Sequence, residues 1–504
     1  MHTLCTVVWM TIYFYGEEAS DLQQCRIVLV HKKNLRQRLR RSFVHSPCVE
    51  QTGIDSSSVS QDNANDPSGQ RKEILRLAIP AFLALVAEPL FLLADSAIIG
   101  NLGTTSLAGL GVATAVLLTA VGVFVFLAYS STAVVARRAG SGDLAGAIGA
   151  GIDDMYLAAL LGVATTVGLI LTARPIVELF GASPEAVGEA VIYLSISAYG
   201  IPPMLIVLAA TGVLRGLQDT KTPLIVSVFG FTANGVLSLV LVHVVGLGIG
   251  GAAWGTVIAQ SGMALALVAV VFAGARRESA PRSFHPGGVL VAAIGGVPMV
   301  IRTLSLRATL LATTWVAAGL GDADLAAFQV SMTVWTVVVF SLDALAIAGQ
   351  AITGKYLGAS DVARTRSAVA MMLRWGVWFA ILLGLGIAAM HRIIPLGFSG
   401  DPAVRSAIAA ALLVIAVGLP AHGIAFVLDG VLMGAGDMWW LALAQTVLLV
   451  AYLPLLYAVW VSGVEGTTGL VWLWIAFHGF MVMRALTLMW RARGDGWMVV
   501  GATR

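Results

Sequence analysis

The sequence predicts an all-α polytopic membrane protein: about twelve transmembrane helices in two pseudo-symmetric six-helix lobes, arranged as a parallel repeat. Three observations carry this. Of 504 residues, 58% are hydrophobic and 11% charged, whereas soluble domains carry about 25% charged residues. From Glu73 onward, apolar runs long enough to cross a bilayer recur with short breaks. The second half also repeats the first, at an offset of 218 residues set by Gly212 and Gly430.

Residues 1–72 stand apart. Leu4 to Tyr15 is apolar but too short to span, Arg26 to Arg41 is basic, and Glu50 to Gln70 is polar enough to predict disorder. The basic cluster follows the apolar run, the reverse of a secretory signal. Cys5, Cys25 and Cys48 all fall here, so no disulfide is expected in the membrane body.

The expected spans are 74–100, 107–134, 144–172, 186–213, 222–243, 251–273, 288–319, 324–352, 366–390, 403–432, 438–461 and 467–490. They divide into an N-lobe (73–273), a charged linker (274–287) containing Pro281 and Pro286, a C-lobe (288–493) and a tail (494–504). Arg71, Lys72, Arg137, Arg138, Arg215, Lys221, Arg276, Arg277, Arg282, Lys355, Arg364, Arg366, Arg491 and Arg493 fall on one side. The other side holds Arg174, Arg392, Arg405, Asp322, Asp324 and Glu465. The positive-inside rule then puts both termini in the cytoplasm, with the chain in the plasma membrane (the inner membrane of a bacterial cell).

The repeat is specific. Gly212-Val-Leu-Arg-Gly-Leu-Gln-Asp219 resembles Gly430-Val-Leu-Met-Gly-Ala-Gly-Asp437. The same register pairs Pro80 with Pro298, Leu107 with Leu325, Asp143 with Asp361, Arg174 with Arg392, Phe180 with Phe398, Pro184 with Pro402 and Pro202 with Pro420, without a gap. Six helices is an even number, so both lobes have the same topology, the usual basis of alternating access.

The first span, Leu75 to Gly103, carries two carboxylates, Glu88 and Asp95, and two prolines, Pro80 and Pro89. The acids are seven apart and share one helix face. A charge at membrane depth costs about 2.5–3.5 kcal/mol on insertion scales. Proline removes a ladder hydrogen bond and tends to kink the helix. Acids beside hinges predict a moving, ion-sensing element.

These motifs resemble the multidrug and toxic compound extrusion (MATE) transporters: GVLRGLQDTKTP after the fourth helix, DGVLMGAGD at the tenth, and two six-helix lobes. LADSAIIGNLG and DALAIAGQAITG look like the DinF (DNA-damage-inducible) branch. The resemblance covers about Glu73 to Arg493. It implies an antiporter exporting amphipathic or cationic compounds against H⁺ or Na⁺, with no other cofactor. It also implies that Asp95, Asn234 and Thr256 couple the cation. Ser238 stands where many members have a second aspartate. A hard cation favours several oxygens and more than one charge, so a proton suits this set better than Na⁺.

Glu88, Ser238, Arg302, Arg307, Asp343 and Asp429 are the further candidates for cavity or relay. Arg302 and Arg307, inside the seventh span, read either as counter-charges for Glu88 across the lobe interface or as structural arginines. Asp343 and Asp429 read as lining the C-lobe cavity or as paired locally, and Asp153 and Asp154 as partners of Arg137 or Arg138. The spacing of His243, His391 and His422 suits no metal. The chain shows no Walker A motif and no nucleophile–base pair, so no enzyme is expected. The reading is a cation-coupled, proton-driven antiporter for drug-like small molecules, working as a monomer in a bilayer and not on nucleic acid. The alternative is a lipid-linked precursor flippase of the related two-lobe superfamily.

Overall fold

The computed structural model describes residues 67–503 apart from Asn101 and Ala182, and the backbone but not the side chains of 67, 88–97 and 100. Of the N-terminal arm expected to be disordered, residues 1–66 lie outside the described residues, and 67–72 are helical instead. Every regular element described is a helix. The N-lobe comprises α1 (Pro67–Gly100), α2 (Thr104–Gly140), α3 (Leu144–Glu178), α4 (Pro184–Ala198 and Ile201–Gly216), α5 (Lys221–Val244) and α6 (Gly248–Arg277). The C-lobe comprises α7 (Pro286–Ala318), α8 (Asp322–Gly358), α9 (Val362–Met390), α10 (Pro402–Gly434), α11 (Met438–Val461) and α12 (Gly466–Arg493). Ten of these are long and apolar enough to cross a membrane, eleven if the bent α4 counts as one span. With the 34-residue α1, the expected twelve are accounted for.

α1 begins by Pro67, six residues ahead of the expected start of the lobe. Gln70 is buried there and accepts from Ser367 Oγ at 3.0 Å. α4 was expected as one span but bends by 49° between its parts. Pro202 and Pro203 supply the reason: two consecutive missing N–H donors open the ladder. The repeat partner of Pro202, Pro420, stands alone, and α10 runs through it unbroken.

The 218-residue register holds in the backbone. Asp143 caps α3 by accepting from Gly146 N at 2.8 Å, and Asp361 caps α9 by accepting from Arg364 N at 2.9 Å. Gln218 (φ 67°) matches Gly436 (φ 73°) after α4 and α10. The same helix pairs also recur. α1 packs on α5 as α7 does on α11, α2 on α4 as α8 on α10, and α4 on α6 as α10 on α12.

Glycines determine how closely these helices approach. A Cβ at Gly212 or Gly216 of α4 would collide with the Ala128 or Thr132 carbonyl of α2. A Cβ at Gly430 or Gly434 of α10 would collide with the Ala346 or Gln350 carbonyl of α8, residue for residue the same contacts. Lipid tails are as apolar as the side chains, so helices in a bilayer associate through such close backbone packing.

Candidate functional site

The N-lobe site is built on α5 and α6. Asn234 and Ser238 sit one turn apart on α5 and are both buried. Ser238 Oγ donates to Asn234 Oδ1 at 3.1 Å, and Asn234 Nδ2 donates to Thr256 Oγ1 of α6 at 3.3 Å. Thr256 Oγ1 also donates to its own Ala252 carbonyl at 3.1 Å. Gly255 lets α6 lie directly against Ser238. Just beyond, α5 winds into a π-turn over Val240–Val244, a distortion frequent at functional sites. Asn234, Ser238 and Thr256, singled out by the sequence, are thus brought together as an amide and two hydroxyls. The α1 helix packs alongside α5. The side chains of Glu88, Pro89 and Asp95 lie outside the described residues. Pro80 is buried, and α1 is helical through it.

The C-lobe candidates divide. Arg302 pairs with Asp429 of α10. Arg484 of α12 reaches the same Asp429 oxygen at 3.1 Å and lies 5.5 Å from the Phe426 ring centroid. All three ions are buried. Among the described residues the partner of Arg302 is thus an acid of its own lobe; the side chain of Glu88, the other candidate, lies outside them. Asp429 is thus paired with two arginines of its own lobe. Arg484 went unselected although its signal was visible, a lone arginine in the apolar run MVMRALTLMW. Arg307 is exposed, and its guanidinium lies over Gly122 of α2. There a 3₁₀ turn, Val123–Val125, interrupts α2. His422 is buried in an aromatic cluster 5.2 Å from the His478 ring.

Asp343 does not serve the C-lobe alone. Tyr129 of α2 donates to its Oδ2 at 3.1 Å across the lobe boundary, and Arg215 of α4 is close enough to act on it electrostatically. Arg215, counted from the sequence among the charges of the basic side, is half-buried in the last turn of α4. The seam between the lobes continues toward the basic end of the molecule. Gln350 Nε2 donates to the Tyr129 carbonyl at 2.6 Å, and Gln218 Nε2 to the Ala351 carbonyl at 3.0 Å. Lys355 pairs with Glu73 at 2.6 Å, and Tyr356 Oη donates to Glu73 at 2.6 Å. A Cβ at Gly140 would strike the Lys355 carbonyl, and one at Gly358 the Arg137 carbonyl, so α2 and α8 cross backbone to backbone on the repeat axis. A cavity of about 300 Å³ lies beside this crossing, lined by Glu73, Gln218, Lys355, Tyr356, Asp361 and Arg364. Nothing in local sequence marks Tyr129 or Gln218 as seam residues; their partners are more than 130 positions away. Asp154 bonds Ser131 at 2.6 Å rather than an arginine, and Asp153 sits against Gly288 in the first turn of α7.

The MatE family model matches residues 80–240 and 298–458. The chain belongs to the MatE family, the multidrug and toxic compound extrusion transporters. The two matched segments start 218 residues apart, in the register of the repeat. Protein DETOXIFICATION 43 of Arabidopsis thaliana is 30% identical over 488 residues, covering 84% of this chain and 91% of that protein. DNA damage-inducible protein F of Escherichia coli is 27% identical, covering 83% of this chain and 92% of that protein. A solved structure from Pyrococcus furiosus Vc1 superposes with a TM-score of 0.74 at 21% identity, covering 84% of this chain and 96% of that one. At that identity it shows the fold alone. The protein is a multi-pass efflux transporter of the MatE family, not an enzyme.

Within this MatE transporter, the Asp429 triad makes a stability prediction. Removing one partner of a buried ion network leaves uncompensated charge and costs about 3–5 kcal/mol. Asp429→Asn leaves Arg302 and Arg484 facing each other, and should lower the thermal midpoint of the detergent-purified protein sharply. Asp343→Asn retains an acceptor for Tyr129 and should lower it much less. Equal midpoints for the two variants would contradict the assignment.

Proposed function

We propose that the protein is a proton-coupled antiporter that exports amphipathic or cationic small molecules by alternating access between its two lobes. The observation that carries this is the Asn234–Ser238–Thr256 cluster on α5 and α6, with Asn234 and Ser238 buried, on a helix, α5, along which α1, the helix of Asp95, packs. One amide and two hydroxyls can accept or donate to a neutral carboxyl group. They lack the second charge that a hard cation favours. In this reading Asp95 is neutral when buried against the cluster and ionised when it meets water or a cationic cargo. Pro80 and Pro89 make α1 the element whose shape follows that change. A ligand shifts a conformational equilibrium only through its differential interaction with the two states, and the two charge states of one carboxylate supply such a difference.

The interlobe bonds described above cluster toward the basic end. In this reading that end is cytoplasmic, by the positive-inside rule, and lobes joined there leave the outer side as the one open to release. The flippase reading has no support in the family assignment. Asp95→Asn, a permanent mimic of the protonated acid, should insert and fold normally yet lose export driven by a pH gradient in proteoliposomes. Export at the wild-type rate from this variant would refute the mechanism.

One observation favours cargo that also bears a carboxylate. Arg307 is exposed midway along α7, against the break in α2, and an arginine at membrane depth reads as functional by default. Guanidinium is suited to carboxylate recognition. Arg307→Gln should reduce export of carboxylate-bearing cargo in the same vesicles about ten-fold or more, the worth of one charge-assisted bond, and leave purely cationic cargo unaffected. Equal effects on both cargo classes would exclude the role.

A further inference from the structure

Arg137, on the last turn of α2 in the N-lobe, is 3% exposed. In the repeat its counterpart is Lys355 of α8, which is met by Glu73 of α1. The residue of α7 equivalent to Glu73 is Val291, which is apolar and exposed. The C-lobe position matching Glu73 therefore holds no carboxylate, and Arg137 is met by backbone carbonyls of the C-lobe and of the segment that follows it. Nη1 of Arg137 donates to the Ala435 carbonyl at 2.7 Å. Nη2 donates to the carbonyls of Val499 at 2.6 Å, Gly501 at 3.0 Å and Thr503 at 3.4 Å.

The acceptors are well chosen for a buried cation. Ala435 is the C-cap of α10, where the helix dipole is negative. The segment 494–503 is itself fastened to the C-lobe. Trp497 is buried and donates from Nε1 to the Ala492 carbonyl at 3.1 Å. Asp495 pairs with Arg366 of α9 at 2.7 Å. Gly501 N donates to the Leu357 carbonyl of α8 at 3.0 Å. A strand of chain anchored on one lobe thus wraps a guanidinium of the other.

We propose that residues 494–503 are a latch that holds the basic end of the two lobes together, and so set the balance between its closed and open states. Parting the lobes there pulls Arg137 out of a ring of four carbonyls. The carbonyls stay with the C-lobe, because their anchors, Trp497, Asp495 and the Leu357 contact, all lie on it. The tail adds to the closed state only, so removing it favours opening. The inference rests on the two-state reading of the lobes.

The test uses a full-length chain with its three native cysteines replaced by serine and a single cysteine at Ala136. Ala136 is buried in the seam against Gly354 of α8. The rate of modification by a charged thiol reagent is measured at rest, without gradient or cargo, so the outcome depends on the tail and not on the transport cycle. Deleting residues 494–504 should raise the rate about five-fold or more, the effect of roughly 1 kcal/mol on a two-state balance. Trp497→Ala, which frees the anchor without shortening the chain, should raise it in the same direction. A control cysteine at Ala380, buried within the C-lobe on α9, should keep its rate. Unchanged labelling at Ala136 in a monodisperse Trp497→Ala protein overturns the latch. So does a rise at Ala380 equal to that at Ala136, which would mean that the tail merely stabilises its own lobe.

Discussion

Backbone against backbone is the contact on which the rest of this protein depends. Gly212 and Gly216 bring α4 onto the carbonyls of α2, and Gly430 and Gly434 bring α10 onto those of α8. In water a helical core gains from expelling solvent. In a bilayer that gain is already taken at insertion, and what remains is close fit and internal hydrogen bonding. Two glycines one turn apart supply the fit. Because the contacts recur at matching positions, each lobe is built around the same closely packed helix pair, as the proposed movement of the lobes as bodies requires.

The polar groups are distributed to suit that frame. Asp429 with Arg302 and Arg484 ties α7, α10 and α12 into one C-lobe. Asn234, Ser238 and Thr256 form a small polar island between α5 and α6 without a formal charge of its own. The seam between the lobes has no buried ion triad of this kind: beside the Lys355–Glu73 pair and the carbonyls around Arg137, Tyr129–Asp343, Gln350–Tyr129 and Gln218–Ala351 are single hydrogen bonds, worth about 1–3 kcal/mol net each. Such a seam can open without unfolding either lobe. Gln218 even occupies a left-handed backbone position that its repeat partner fills with Gly436. A non-glycine residue there costs about 1 kcal/mol, and its side chain offsets this by bonding the other lobe.

Much of this was legible in the sequence, for physical reasons. Span lengths follow from bilayer thickness. The repeat followed from prolines, glycines and capping aspartates, residue types whose backbone roles leave little freedom, and these kept one register through both halves. Asn234, Ser238 and Thr256 were reachable through the family pattern. Pairings were not. Whether Arg302 answers Glu88 or Asp429 depends on which helix faces which, and spacing along one helix does not determine this. The same limit hid Tyr129 and left Arg137 and Arg215 counted only among the charges of the basic side. The bend in α4 was visible as Pro202-Pro203, but Pro420 in an unbroken α10 shows that one proline alone does not decide it.

Most direct for the two-state account is a distance between the lobes at the basic end. Ser141 and Ala359 are repeat partners in exposed turns after α2 and α8. Spin labels at cysteines in these two places, read by pulsed electron resonance in proteoliposomes, should give two distance populations. The short one should dominate at rest, and the long one should grow when a pH gradient and exportable cargo are both present. A single unchanged distance under all conditions, in protein that still exports, would contradict the account.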